Sequence, residues 1–157
     1  MSDDTVAGVP AGFERLRDGL GFADALQPVY RRMDAQGTSF GLVVLAQHGN
    51  SMGICHGGVL MSLADMAAAS GVNLARGEIA GCVTINLTLD FIAAARQGDW
   101  LQADAEQVHM KRRFGFCNGA LYCAGRTVAR FNGTFYVPDH DGMWSDERTR
   151  EDILRRN

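Results

Sequence analysis

His48-Gly-Asn-Ser-Met-Gly-Ile-Cys-His-Gly-Gly-Val-Leu-Met-Ser-Leu-Ala-Asp-Met-Ala-Ala-Ala-Ser70 decides the fold, because a loop dense in polar groups and glycine passes there directly into an apolar segment. Between Val59 and Val72 every residue except Asp65 is apolar or small. A helix that is apolar all round is buried rather than laid on a surface, so the segment predicts a central helix. Asp65 is then an ionisable group taken away from water, which is costly unless a donor or a cation reaches it. Carboxylates so placed are often functional, and others serve hydrogen-bond networks of the core. This stretch alone leaves both readings open.

Downstream, the period changes. The helix ends at Gly71, or at Asn73 and the Gly77 that follows. Val83, Ile85, Leu87, Leu89 and Phe91 then alternate with Thr84, Asn86, Thr88 and Asp90, which predicts a strand with one apolar and one polar face. Gln97-Gly98-Asp99 reads as a turn, Trp100 to His109 as the next strand, and Phe114 to Cys123 and Thr127 to Val137 as a pair joined at Ala124-Gly125. Gly119 and Gly133 fall inside strand patterns, a sign of bulges or close backbone approach. Upstream, apolar residues recur at helical spacing from Gly12 to Leu26, weakened by Gly19 and Gly21, and Pro28 stops the run. Val29 to Met33 and Phe40 to Ala46 read as a strand pair around the turn Asp34-Ala-Gln-Gly37. Short connections between successive strands demand antiparallel pairing. An antiparallel sheet needs one face covered, and the apolar helix is the cover. The expected class is α+β, a single antiparallel sheet curled around one long helix.

A chain of 157 residues suits one domain, 25–137, with an N-terminal extension over 1–24, partly helical, and a charged tail over 138–157. In the tail, Asp146 with Arg150, Glu151 with Arg155 and Asp152 with Arg156 have the spacing of a solvated terminal helix. The formal net charge of -3 excludes a nucleic-acid binder that works by general phosphate attraction. The apolar run around Asp65 is too short for a bilayer and carries a charge, so no membrane segment is expected. Cys55, Cys82, Cys117 and Cys123 show no C-x-x-C spacing, and the N-terminus lacks the pattern of a secretory leader, so the expected compartment is the cytoplasm. His48, Cys55 and His56 do not match the spacing of zinc ligands, and no metal site is expected.

Asn50, Gly53, His56-Gly57-Gly58 and Leu63-Ala64-Asp65 together resemble the hotdog-fold acyl-CoA thioesterases, in particular the phenylacetic-acid-degradation (PaaI-type) branch. The likeness continues through Val83-Thr84-Ile85-Asn86-Leu87 and Gly133-Thr134-Phe135. It implies a homodimer, associating further as a dimer of dimers, with sheets joined edge to edge and active sites shared between subunits. It also implies an acyl-CoA substrate and no cofactor beyond the coenzyme A of that substrate. By the resemblance, Asp65 is the catalytic carboxylate, the Gly57 N–H meets the thioester oxygen, Asn50 orients the thioester or the water, and Thr84 assists on the carboxylate side. Asn50, His56 and Gly57 would come from one subunit, Asp65 and Thr84 from the other. Some branches carry a hydroxyl one helical turn after the carboxylate; here that position is Ala69.

The residues themselves bear on each role. A glycine at a helix N-terminus offers an unpaired N–H, with the positive end of the helix dipole behind it and no side chain in the way. Gly57 and Gly58 also suit a tight turn that lets helix and sheet approach. Asp65 could act as general base on water or attack the carbonyl itself. Asn50 is equally a turn residue, and strict alternation puts Thr84 on the polar face of its strand, where solvent is the ordinary neighbour. His56 reads as an anchor of the loop in reach of substrate, and Cys55 as a weaker candidate nucleophile. Met66, with Met52 and Met61, is either an adaptable substrate lining or plain core. Lys111-Arg112-Arg113 is either a grip on the phosphates of coenzyme A or a solvated strand end. The expected function is hydrolysis of acyl-CoA to a free acid and coenzyme A. The alternative is a non-catalytic acyl-CoA or acyl-lipid binding module on the same fold.

Overall fold

The computed structural model describes residues 8–77 and 81–139. The expected terminal helix over 145–156 lies outside the described residues. In chain order the elements are β1 (Glu14–Arg15), a 3-10 helix (Gly21–Leu26), β2 (Tyr30–Asp34), β3 (Gly37–Val43), a 3-10 turn (Ala46–His48), α1 (Gly57–Arg76), β4 (Val83–Phe91), β5 (Trp100–Lys111), β6 (Phe114–Cys123) and β7 (Arg126–Tyr136). The strands form one antiparallel sheet in the order β1-β2-β3-β5-β6-β7-β4.

The sheet curls around α1. Val59, Leu60, Leu63, Ala64, Ala67, Ala68 and Val72 pack into a core shared with Leu42, Leu101, Leu121, Phe131 and Phe135. Alternation along β7 sends Phe131 and Phe135 inward and leaves Arg130 exposed on the outer face, as the period of two requires. Gly119 leaves no room for a side chain between β5 and the core: a Cβ there would lie 2.0 Å from the Asp104 carbonyl oxygen and 2.5 Å from the Phe131 ring. Both expectations for that glycine are realised, since the register also shifts there: Ala105 pairs with Gly119 and Gln107 with Asn118, which leaves Glu106 as the extra residue. The β6–β7 turn is Ala124-Gly125 with φ 49° and 73°, the paired positive values of a type I′ hairpin.

Four sequence expectations need correction. First, the helix outruns the apolar run around Asp65 that was held too short for a bilayer: of the ends the sequence offers it takes the later, at Arg76 with Gly77 as its cap. At 20 residues α1 is long and apolar enough to cross a membrane by length and composition alone. Here one side of it is packed into the sheet and the other carries Asp65. Second, α1 is not buried all round: Met61, Ser62, Asp65, Met66, Ala69 and Ser70 remain partly exposed along one stripe. Third, the helical spacing over Gly12–Leu26 becomes a two-residue strand and a 3-10 helix, because Gly19 and Gly21 take φ of +87° and +68°, outside the helical region. Fourth, β4 pairs with β7 and forms the sheet edge instead of pairing with β5, the next strand in sequence. Val83, Ile85 and Phe91 are accordingly exposed.

Candidate active site

Asp65 projects from the open stripe of α1, and its Oδ1 accepts a 2.8 Å hydrogen bond from the Thr84 hydroxyl of β4. Strict alternation would not allow that contact. Thr84 pairs with Phe135 and Asn86 with Thr134, so Ile85 is an extra residue and the register shifts across it. Phe135 is fully buried beside the helix, so Thr84 opposite it faces inward. Below the bulge Leu87 pairs with Gly133 and Leu89 with Phe131, and the apolar residues take the inner face instead. One inserted residue thus re-aims Thr84 from the outer face to the carboxylate.

Around this pair lies a pocket of about 370 Å³. Met61 and Met66 of α1, Leu87 of β4, and Phe22, Ala23 and Leu26 of the first 3-10 helix make it apolar. Besides Asp65 and Thr84, the polar side chain present is Ser62, whose hydroxyl donates to the Gly58 carbonyl at 2.8 Å. In the sequence Phe22 is one of the helically spaced apolar residues between Gly12 and Leu26; only the chain's path brings it to the pocket of Asp65.

The N-terminal end of α1 forms a second cluster. His56 is the N-cap, and its Nδ1 accepts from the Gly58 N–H at 2.9 Å. An accepting Nδ1 leaves the neutral ring's proton on Nε2, on an exposed side chain. Among the described residues none accepts from the Gly57 N–H, one of the orphan donors of the first helical turn. The Phe91 ring stands against Gly57, where a Cβ would lie 3.3 Å from two of its atoms. The Asn50 Oδ1 accepts from the N–H groups of Met52 (2.9 Å) and Ile54 (3.4 Å), tying the loop ahead of the helix. That leaves the Nδ2 donor for other work, so the turn role and a polar role coexist in one side chain.

These two clusters do not meet within one chain. Gly57 and Asp65 are eight positions apart on α1, which at 1.5 Å per residue is about 12 Å. A donor and a base that act on one thioester must both lie within hydrogen-bond reach of it. Asn50, His56 and Gly57 are absent from the lining of the Asp65 pocket.

The remaining candidates fall outside both clusters. Lys111 and Arg112 are exposed on the β5–β6 hairpin, while Arg113 makes a 3.7 Å ion pair with Asp139. The hairpin lies toward the C-terminal end of α1: at Gly115, just past it, a Cβ would be 2.5 Å from Val72. His48 is 1% exposed, with Nδ1 accepting from the Leu45 N–H at 3.0 Å and Nε2 3.1 Å from the Leu26 carbonyl oxygen. Both ring nitrogens are therefore committed, and burial lowers the His48 pKa. Among the described residues no group of three or more His, Cys, Asp or Glu side chains is arranged to hold a metal. Burial pushes the Cys55 and Cys82 thiols up to about 11, which makes either a poor nucleophile near neutrality.

The sequence model of the Thioesterase superfamily matches residues 52–130. A Pseudomonas aeruginosa protein described provisionally as an esterase is 34% identical over 131 residues, covering 83% of this chain and 98% of its own. The E. coli PaaI protein, from the phenylacetic acid degradation operon, superposes with a TM-score of 0.65 at 33% identity, over 74% of this chain and 83% of its own. A Streptococcus pneumoniae thioesterase-like structure with coenzyme A shares the fold at a TM-score of 0.64 and 22% identity, over 80% of this chain and 94% of its own.

Proposed function

The chain belongs to the thioesterase superfamily and has its hotdog fold, and from that premise we propose that it hydrolyses acyl-CoA thioesters with Asp65 as the catalytic carboxylate. The observation that carries the proposal is the Asp65 carboxylate, held by Thr84 within an otherwise apolar pocket. Hydrolysis needs a group to activate water or to attack, a donor for the oxygen that gains charge, and walls that strip water from the acyl group. In the general-base route Asp65 takes a proton from water as the water oxygen bonds the carbonyl carbon. The tetrahedral oxyanion collapses, the C–S bond breaks, and the proton passes to the departing thiolate to give the free acid and coenzyme A. In the nucleophilic route Asp65 bonds the carbonyl carbon first, the C–S bond breaks as coenzyme A leaves as its thiolate, and water cleaves the resulting anhydride to the free acid and the regenerated carboxylate, its spare proton passing to the thiolate. Either route develops charge on the carbonyl oxygen, and the Gly57 N–H at the positive end of α1 suits it. The Asn50 amide and the His56 Nε2–H, from the loop that leads into α1, would serve as further donors. Gly58 and Met66 would line the substrate path, and Lys111 and Arg112 would meet the phosphates of coenzyme A. Arg113, paired with Asp139, is the weaker candidate for that role.

We further propose that each site is shared by two chains. The separation of about 12 Å along α1 supports this, and so do the partly exposed Met61, Met66 and Ala69 and the exposed edge strand β4, which a second copy would cover. The four unpaired cysteines support a reducing, cytoplasmic setting. Free-thiol release from acyl-CoA, measured for the wild type, for Asp65→Asn, for Asn50→Ala and for the two variants co-expressed, tests both points. Each variant alone should be inactive, and random pairing should restore about a quarter of wild-type turnover, since one intact site forms in each mixed dimer. No recovery on mixing rejects the shared site. Near-normal turnover by Asp65→Asn rejects its role, and tight binding without release by the wild type identifies a binding module.

A further inference from the structure

The pocket beside Asp65 owes one wall to residues 21–26, and that wall is held in an unusual way. The 3-10 helix buries only Leu26, too little apolar surface to fix six residues by packing. Side chains fix it instead. The Asp24 carboxylate accepts from the Gly19 N–H (3.0 Å) and the Leu20 N–H (3.0 Å), His48 Nε2 donates to the Leu26 carbonyl (3.1 Å), and Gln47 Nε2 donates to the Gln27 carbonyl (3.0 Å). The result is a stiff arm that presents Phe22, 74% exposed, to the pocket. A large aromatic ring left in solvent next to a reactive carboxylate has an unmet demand for an apolar neighbour.

Resting on the thioesterase reading, we infer that this arm selects the acyl group: the pocket takes an uncharged alkyl or aryl group, and Phe22 is the side chain that grips it. The hydroxyls of Ser62 and Thr84 are already donating, to the Gly58 carbonyl and to Asp65. Among the described residues of the chain no Lys, Arg or His lines the pocket, so a second carboxylate on the acyl group would be desolvated beside Asp65 with none of these cations to meet it. The volume of about 370 Å³ falls at the small end of the range for small-molecule sites, which suits a group of about six carbons better than a long fatty chain. The thioethers of Met61 and Met66, which line the pocket with Phe22, tolerate flat and linear groups alike.

The test compares kcat/KM for acetyl-, hexanoyl- and succinyl-CoA in the wild type, Phe22→Ala, Phe22→Leu and Ala23→Phe. The wild type should prefer hexanoyl- to succinyl-CoA by at least about tenfold. Phe22→Ala should lose roughly tenfold on hexanoyl-CoA through KM, with acetyl-CoA changed less than about twofold, and Phe22→Leu should recover most of the loss. Ala23→Phe, which narrows the pocket, should lower the hexanoyl-to-acetyl ratio of kcat/KM. An unchanged hexanoyl-to-acetyl ratio in both Phe22→Ala and Ala23→Phe overturns the inference, as does succinyl-CoA turned over as well as hexanoyl-CoA. A wild type that releases no coenzyme A from any of the three overturns the thioesterase reading itself, a result distinct from a flat ratio.

Discussion

The two faces of α1 both carry apolar residues, yet these residues have opposite fates. Toward the sheet, Leu63, Ala64, Ala67, Ala68 and Val72 are wholly buried. On the open side, Met61, Met66 and Ala69 are just as apolar or small, yet they stay partly exposed and share their stripe with Asp65. The sheet can wrap only one side of a helix, so the second apolar side is left for a substrate, another copy of the chain, or both. Asp65 sits at the margin of the sheet, where Thr84 of the edge strand β4 meets it and it stays partly exposed, so the full cost of burying it never arises. Chemistry and packing are thus divided by about half a turn of one helix.

The largest expected effect breaks the open face alone. Asp65→Asn should lower kcat/KM by about 1,000-fold, about 4 kcal/mol in the barrier, within the range of acid–base groups. Thermal unfolding of that variant should match the wild type, because a partly exposed side chain with one hydrogen bond is being exchanged for its isostere. A large fall in Tm would mean that Asp65 belongs to the packing face after all. The mirror experiment is Leu63→Ala, which should cost about 3 kcal/mol of stability in denaturant titration, as deletions of fully buried leucines do. Its kcat per folded protein should stay within about twofold of wild type, whereas Met61→Ala on the other face should cost under about 1 kcal/mol.

Thr84 sharpens the comparison, since it reaches the open face from the sheet. It acts as a positioning residue for Asp65, so Thr84→Val should lower kcat roughly tenfold with KM little changed, and Thr84→Ser should restore it. Equal losses in Val and Ser variants would point to packing instead.

The smallest effect concerns the arm that walls the open side. Burial depresses the His48 pKa in the folded protein below its ordinary value near 6.5. The unfolded chain therefore binds the extra proton first as pH falls. Stability from neutral His48 is complete above about 6.5 and is lost below it, at up to about 1.4 kcal/mol per pH unit, until the depressed folded value is reached. Stability curves between pH 7.5 and 5 for the wild type and His48→Gln test this: the variant should be less stable at pH 7.5 but fall less steeply. Parallel curves would remove His48 from the account.

Much of the architecture was legible because it is written in local periods. Alternation from Asn86 to Phe91, the glycine pair opening an apolar run, and Ala124-Gly125 as a hairpin turn each depend on a few neighbouring residues. The helix-wrapped antiparallel sheet follows from them by short connections. The pairing of β4 with β7 was not legible, since the connection from residue 92 to 99 is long enough to carry the chain away from β4 to the middle of the sheet. Arg113 could be read from sequence as one of three equivalent cations, but Asp139, which takes it up, comes close only when β7 returns beside β6.

By itself the sequence determined that one carboxylate would ride on an apolar helix opened by His56-Gly57-Gly58, because residue type and spacing along a single segment are enough for that. Only the tertiary structure decided which groups attend the carboxylate. The bulge at Ile85 turns Thr84 inward, and its position depends on the register against β7. Phe22 reaches the pocket because His48, Asp24 and Gln47 fix an arm that has almost no core of its own. Local patterns specify the period of each element, but which residues meet across elements is set by pairing register and long-range hydrogen bonds, which no local period contains.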